Sequence, residues 1–134
     1  MKYKSFIHCE ISKREFEAKL LLSAIASTKG IDVYLGNILG LKIKKIPRFS
    51  IFHHKDCAPS PLNLNLFKKL KKKNIFISCQ DEEGGIEEKK VFFSKPPVGF
   101  FYYRYGNKSI KLVDAIFTWS NYDYINLIKR FKKY

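Results

Sequence analysis

A chain of 134 residues, 46% of them hydrophobic, suits one packed domain and excludes a disordered tail. No apolar run approaches the roughly 20 residues of a membrane span, and the short apolar stretch after the basic start meets a charged segment rather than a small-residue cleavage site. The net charge of +14, from 26 Lys and Arg against 12 Asp and Glu, favours anionic partners, and the expected location is the cytoplasm.

Phe6-Ile7-His8-Cys9 reads as a short buried strand. Ser12, with Glu15 three positions later, forms the capping box of a helix over residues 13–29. In that helix Phe16, Leu20, Ala24 and Ser27 line one stripe, widened by Leu21, Ile25 and Thr28, and this stripe is expected to face the core. Gly30 stands where a helix ends in a left-handed residue, and residues 31–36 form the second strand. Residues 37–45 are expected to be helical, with Gly40 against it and Pro47 ending it. Residues 50–54 form a third strand, residues 61–73 a helix with Leu62, Leu66, Phe67 and Leu70 inward, and residues 75–79 a fourth strand. Residues 86–106 are broken by Pro96, Pro97, Gly99 and Gly106 and rich in aromatics, which suits a packed excursion or a lid. Residues 113–119 are expected to form a fifth strand. Residues 121–132 follow as a last helix, with Tyr124, Leu127, Ile128 and Phe131 on its apolar side. The fold class is therefore α/β: a Rossmann-like, open, mostly parallel sheet of about five strands flanked by helices.

In an open parallel sheet, ligands bind beyond the C-terminal ends of the strands. Glu10, Arg14, Glu15 and Lys19 follow the first strand, His53-His54-Lys55-Asp56 the third, Asp81-Glu82-Glu83-Gly84-Gly85 the fourth, and Trp119-Ser120-Asn121 the fifth. Parallel strands bring all four segments to one edge. Three adjacent carboxylates need a cation or solvent to offset their repulsion, and one of them can act as a general base or hold a sugar hydroxyl, while the two glycines permit close backbone approach. A solvated acidic turn is the plainer alternative. Glu10 with Arg14 and Lys19 suits a structural ion pair as well as an anion clamp. His53 and His54 point to opposite faces of a regular strand and cannot both ligate one metal, so no metal is expected. The lone Trp119 is expected in the core, with stacking on a ligand ring as the alternative. Cys9, Cys57 and Cys79 read as reduced, mostly buried thiols. No glycine-rich dinucleotide loop, phosphate-binding loop or nucleophile elbow is present.

The segment Glu10-Ile11-Ser12-Lys13-Arg14-Glu15-Phe16-Glu17-Ala18-Lys19-Leu20-Leu21-Leu22 resembles the opening of bacterial surface carbohydrate (polysaccharide) biosynthesis proteins. Asp81-Glu82-Glu83-Gly84 is similar to that family's DEEG motif, and Asp114-Ala115-Ile116-Phe117-Thr118-Trp119 to its strand ending in tryptophan. The resemblance covers nearly the whole chain and implies a glycosyltransferase-like protein of the GT-B architecture. Residues 1–134 would then be the single N-terminal, acceptor-side domain, with the C-terminal, donor-binding domain absent. It further implies Glu10 and Glu83 as catalytic carboxylates, with Arg14, Lys19, His54, Asp81, Glu82, Gly84, Gly85 and Trp119 binding substrate. A glycan acceptor, a nucleotide-sugar donor for a complete enzyme and a separately encoded second domain are the implied partners; the domain itself needs no cofactor. Ser120 and Asn121 depart from the glycine and glutamate common after the tryptophan. With half the cleft outside this chain, little transfer by it alone is expected.

The alternative is a basic binding module. Lys68, Lys69, Lys71, Lys72 and Lys73 form one cluster, and Lys129, Arg130, Lys132 and Lys133 another. Such faces suit an anionic membrane, as peripheral contact at the inner face of the cytoplasmic membrane. Nucleic acid is disfavoured, because no recognition motif accompanies the charge.

Overall fold

The computed structural model of the chain describes residues 3–82 and 105–131. Apolar and β-branched runs form β1 (Lys4–His8), β2 (Asp32–Gly36), β3 (Ile51–His54), β4 (Phe76–Gln80) and β5 (Ala115–Phe117). They make one sheet in the order β2-β1-β3-β4-β5, with every neighbouring pair parallel. Parallel neighbours need crossovers, supplied by α1 (Ser12–Thr28) between β1 and β2 and by α2 (Pro61–Lys71) between β3 and β4. α3 (Asn107–Ile110) precedes β5, and α4 (Asn121–Phe131) follows it. This is the Rossmann-like α/β arrangement expected from the sequence. Among the described residues no helix is long and apolar enough to cross a membrane.

Local chemistry sets the ends. Gly30 takes φ 80° just after α1, where a Cβ would be strained. Ser60 caps α2, its hydroxyl accepting from the Asn63 N–H at 3.1 Å, with Pro61 at the first helical position. Ser120 does the same for α4, accepting from the Asp123 N–H at 3.2 Å. Asp114 accepts from the Ile77 N–H and from Lys71 Nζ, joining the approach to β5 to both β4 and α2.

The alternation of side chains splits the sheet into two unlike faces. Phe6, Phe52, Ile77 and Cys79 meet Leu66, Phe67 and Leu70 of α2, Ile110 of α3 and Leu127 of α4 in the hydrophobic core. The other face carries Ser5, Ile7, His53, Ser78 and Gln80, and α1 lies on that side.

Several expectations are corrected. Residues 37–45 do not form a helix; after turns they give only a 3₁₀ turn, Ile43–Lys45, entered through Lys42 at φ 47°. α1 starts at Ser12, so the N-cap is Ile11 where the sequence suggests Ser12, and Glu15 reaches back to the Glu10 N–H at 2.8 Å. The fifth strand shortens to three residues. Leu62 and Tyr124 are exposed rather than inward.

The largest correction concerns α1. Its buried residues are Glu15, Lys19 and Ser23, spaced four apart along one stripe, while Phe16, Leu20, Leu21 and Ile25 are exposed. The polar stripe faces inward because buried hydrogen-bond partners lie there, described below. All three cysteines are buried free thiols, as expected.

The core on the α2 side carries the packing energy. Phe67→Ala should lower stability by about 3–5 kcal/mol in urea unfolding followed by circular dichroism. Leu62→Ala, on a side chain 83% exposed, should stay within about 0.5 kcal/mol.

Candidate functional site

The chain leaves β1 toward β2 on one side and, after β2, returns to β3 on the other. The gap beyond the C-terminal ends of β1 and β3 is thus the point where the winding reverses, which is where open α/β sheets bind ligands. Cys9 and Glu10 follow β1, Lys55 and Asp56 follow β3, Asp81 and Glu82 follow β4, and Trp119 lies just past β5. The Glu82 N–H donates to the Lys55 carbonyl at 3.2 Å, which ties the segment after β4 to the segment after β3.

Lys19 stands at the centre. Its side chain is buried, and Nζ donates to the His8 carbonyl at the end of β1. The same ammonium lies 2.5 Å from Glu82 Oε1 and 3.4 Å from Glu15 Oε2. Glu15 is buried too. Besides the Glu10 N–H, it accepts from Arg14 Nη2 at 3.2 Å. Ser23 completes the stripe, its hydroxyl donating to the Lys19 carbonyl at 2.6 Å. A buried charge needs partners of this kind, which is why α1 turns its polar stripe to the sheet.

The two carboxyls are driven apart. Burial pushes Glu15 upward, but the Glu10 N–H, Arg14 and Lys19 outweigh it and bring its pKa down to about 2. For Glu82 burial wins over the hydrogen bond and charge of Lys19, and its pKa is raised. Glu15 is a fixed anion; Glu82 exchanges a proton more readily. The second oxygen of Glu82, Oε2, is buried and has no hydrogen-bond partner among the described residues.

These groups border a cavity of about 280 Å³ whose walls include Arg14, Lys19, His53, Gln80, Glu82 and Trp119. Trp119 is 62% exposed, so it is not a core residue, against expectation. Its indole N–H donates to the Asp81 carbonyl at 2.5 Å, which sets the ring at the cavity mouth. Asp81 itself is buried.

Of the residues singled out from sequence, Arg14, Lys19, Glu82 and Trp119 therefore meet at one cavity, with Asp81 behind the tryptophan. Glu10 lies at the same edge, half-exposed and paired with Lys55, whose hydrogen bond lowers its pKa. His54 is on the opposite sheet face, in the core, stacked on His8 at 4.8 Å and edge-on to Phe67 at 5.3 Å. Glu83, Gly84 and Gly85 lie outside the described residues. Glu15 and His53 belong to the strand-end segments but carry no site role in the sequence reading, and Gln80 is not singled out by it. The signal for Glu15 was its spacing of four from Lys19 and eight from Ser23, a polar stripe that competes with the apolar one. His53 donates to or accepts from Ser78 Oγ at 3.0 Å. Among the described residues no three His, Cys, Asp or Glu side chains converge as metal ligands. Set beside protein-family models, curated proteins and solved structures, the chain matches none.

Removing the central cation exposes the cost of the network. Lys19→Met should destabilise by about 3–5 kcal/mol, because it leaves two buried carboxyls facing one another, and adding Glu82→Gln should restore part of the loss; paired denaturation curves check both. The histidines set the acid limit. Burial, then His54, pushes His8 from 6.5 down to about 4, and burial, then Lys19, does the same to His53; burial also lowers His54. The unfolded chain takes up these protons near 6.5 but the folded one only near 4, so stability is full above 6.5 and falls toward pH 4. Glu15 extends the loss from 4.5 toward 2, while Glu82, raised, opposes it. The urea midpoint should be flat above pH 7 and fall below 6.5, with a slope approaching about 1.4 kcal/mol per pH unit for each proton taken up.

Proposed function

We propose that this chain is the acceptor-side domain of a glycosyltransferase acting in surface-polysaccharide biosynthesis. The carrying observation is the cavity at the winding reversal, where an exposed indole stands beside an arginine and a buried carboxyl with one unpartnered oxygen. A sugar has an apolar ring face and a hydroxyl rim. Trp119 offers a surface for the ring face, and the Glu82 carboxyl, which lines the cavity, can accept a hydroxyl proton. The motif resemblance points the same way.

The chemistry follows from that placement. An acceptor hydroxyl held on Glu82 would attack the anomeric carbon of a nucleotide-sugar. The new C–O bond forms as the bond to the donor phosphate breaks, the nucleoside diphosphate leaves, and the hydroxyl proton passes to the Glu82 carboxylate. A carboxyl whose pKa is raised is a stronger base than an ordinary carboxylate, which suits this proton transfer. Glu82 lines the cavity and has a raised pKa, whereas Glu10 is engaged by Lys55 and Glu15 is held ionised by three donors, so we assign the base to Glu82. With a net charge of +14, the domain would work beside an anionic membrane surface.

Binding of oligosaccharides to the full chain, by glycan array and then calorimetry, tests the reading. A saccharide should bind, and Trp119→Ala and Glu82→Gln should each weaken it about tenfold or more. Absence of saccharide binding, or binding indifferent to both substitutions, would refute it. Salt-sensitive binding to RNA or anionic vesicles in place of saccharide would favour the basic module instead.

A further inference from the structure

A second cavity, of about 520 Å³, lies at the β2 edge of the sheet, away from the Glu82 site. Its walls come from Lys4 and Phe6 of β1, Tyr34 of β2, and Leu41, Lys42 and Lys45 of the following loop. Lys4 and Glu10 are six residues apart along an extended strand and its exit, roughly 20 Å, so this cavity is well separated from the first.

Its chemistry is one-sided. Three lysines line it and, among the described residues, no Asp or Glu does. Among the described residues, Lys4, Lys42 and Lys45 take part in none of the ion pairs. Asp32, opposite Lys4 in the strand register, does not line the space. Like charges brought together without a counter-charge repel, and an anion placed among them relieves that cost.

The backbone favours this arrangement. Lys42 adopts φ 47° and ψ 61°, a left-handed conformation costly for a residue with a Cβ. The Ile43–Lys45 turn follows, and the Lys45 N–H donates to the Lys42 carbonyl at 2.6 Å. Lys42 and Lys45 thus bracket the turn, and both line the cavity. The floor is aromatic. Phe6 and Tyr34 stack with centroids 4.7 Å apart and 7° between planes, and Tyr34 is 45% exposed on the edge strand. Phe6 covers one face of the Tyr34 ring, and the half-exposed tyrosine lines the cavity.

We propose that this cavity binds a small phosphorylated ligand bearing a planar ring, with its phosphates among Lys4, Lys42 and Lys45 and its ring against Tyr34. The volume is that of a small-molecule site. Lysine serves phosphate as a point charge, and a stacked aromatic pair gives a ring a rigid platform. The assignment does not depend on the carbohydrate reading.

Calorimetry with ATP, tripolyphosphate and adenosine on the full chain at 0.15 M salt tests it. ATP should bind more tightly than tripolyphosphate, and adenosine weakly. Lys42→Ala with Lys45→Ala should lower ATP affinity about tenfold or more, and Tyr34→Leu should weaken ATP while sparing tripolyphosphate. Lys68→Ala with Lys69→Ala removes the same charge from exposed positions on α2 and should change ATP affinity less than about twofold. Equal losses from the two lysine pairs would reduce the effect to overall charge and overturn the site. So would no binding at millimolar ATP, or a Tyr34→Leu variant that binds ATP as the parent does. Circular dichroism of each variant separates lost binding from lost fold.

Discussion

One ammonium group, Nζ of Lys19, reaches the His8 carbonyl at the end of β1, the Glu15 carboxyl on its own helix and the Glu82 carboxyl after β4. Each partner sits on a different segment of the sheet's C-terminal edge. A buried cation of this kind contributes little net stability when satisfied, but it strongly penalises any arrangement that separates its partners. It therefore sets the rotation of α1 about its axis. With Glu15, Lys19 and Ser23 inward, Phe16, Leu20, Leu21 and Ile25 have nowhere to go but outward. The cavity, the tilt of the carboxyls and the exposed helix face all follow from that one rotation.

The same cluster divides labour between two acids that look alike in sequence. Glu15 accepts from a backbone N–H, a guanidinium and an ammonium, so its charge is fixed. Glu82 has one strong partner and one bare oxygen, so its charge is negotiable. Environments that separate two neighbouring carboxyls in this way assign them different chemical roles. The Asp81 carbonyl contributes by a plainer route: it holds the indole of Trp119 from behind.

Most of the sheet was legible in the sequence. Short apolar runs at βαβ spacing and the glycine at position 30 are local signals, and the structure reproduces the parallel strands they imply. The opposed faces of His53 and His54 follow from strand geometry alone, and the structure puts one on Ser78 and the other on His8 and Phe67. The orientation of α1 was not legible. An apolar stripe usually faces the core, but here the opposite rotation would take Lys19 away from the His8 carbonyl and the Glu82 carboxyl, and those partners are distant in sequence. Residues 37–45 failed as a helix for a related reason. Gly36 and Gly40 break the pattern, and Leu41 and Ile46 are drawn separately into the core. Trp119 was misjudged because its anchor, the carbonyl of residue 81, lies in another crossover.

The outward face of α1 also bears on how copies of the chain behave together. From Leu20 to Thr28 the helix carries no charged residue, and Leu20, Leu21 and Ile25 are each at least half exposed. Short-range attraction between such faces is opposed at longer range by the mutual repulsion of molecules that each carry +14. The balance is colloidal. Added salt shortens the reach of the repulsion and leaves the apolar attraction intact, so concentrated solutions of this chain should be most dispersed at low ionic strength and associate as it rises.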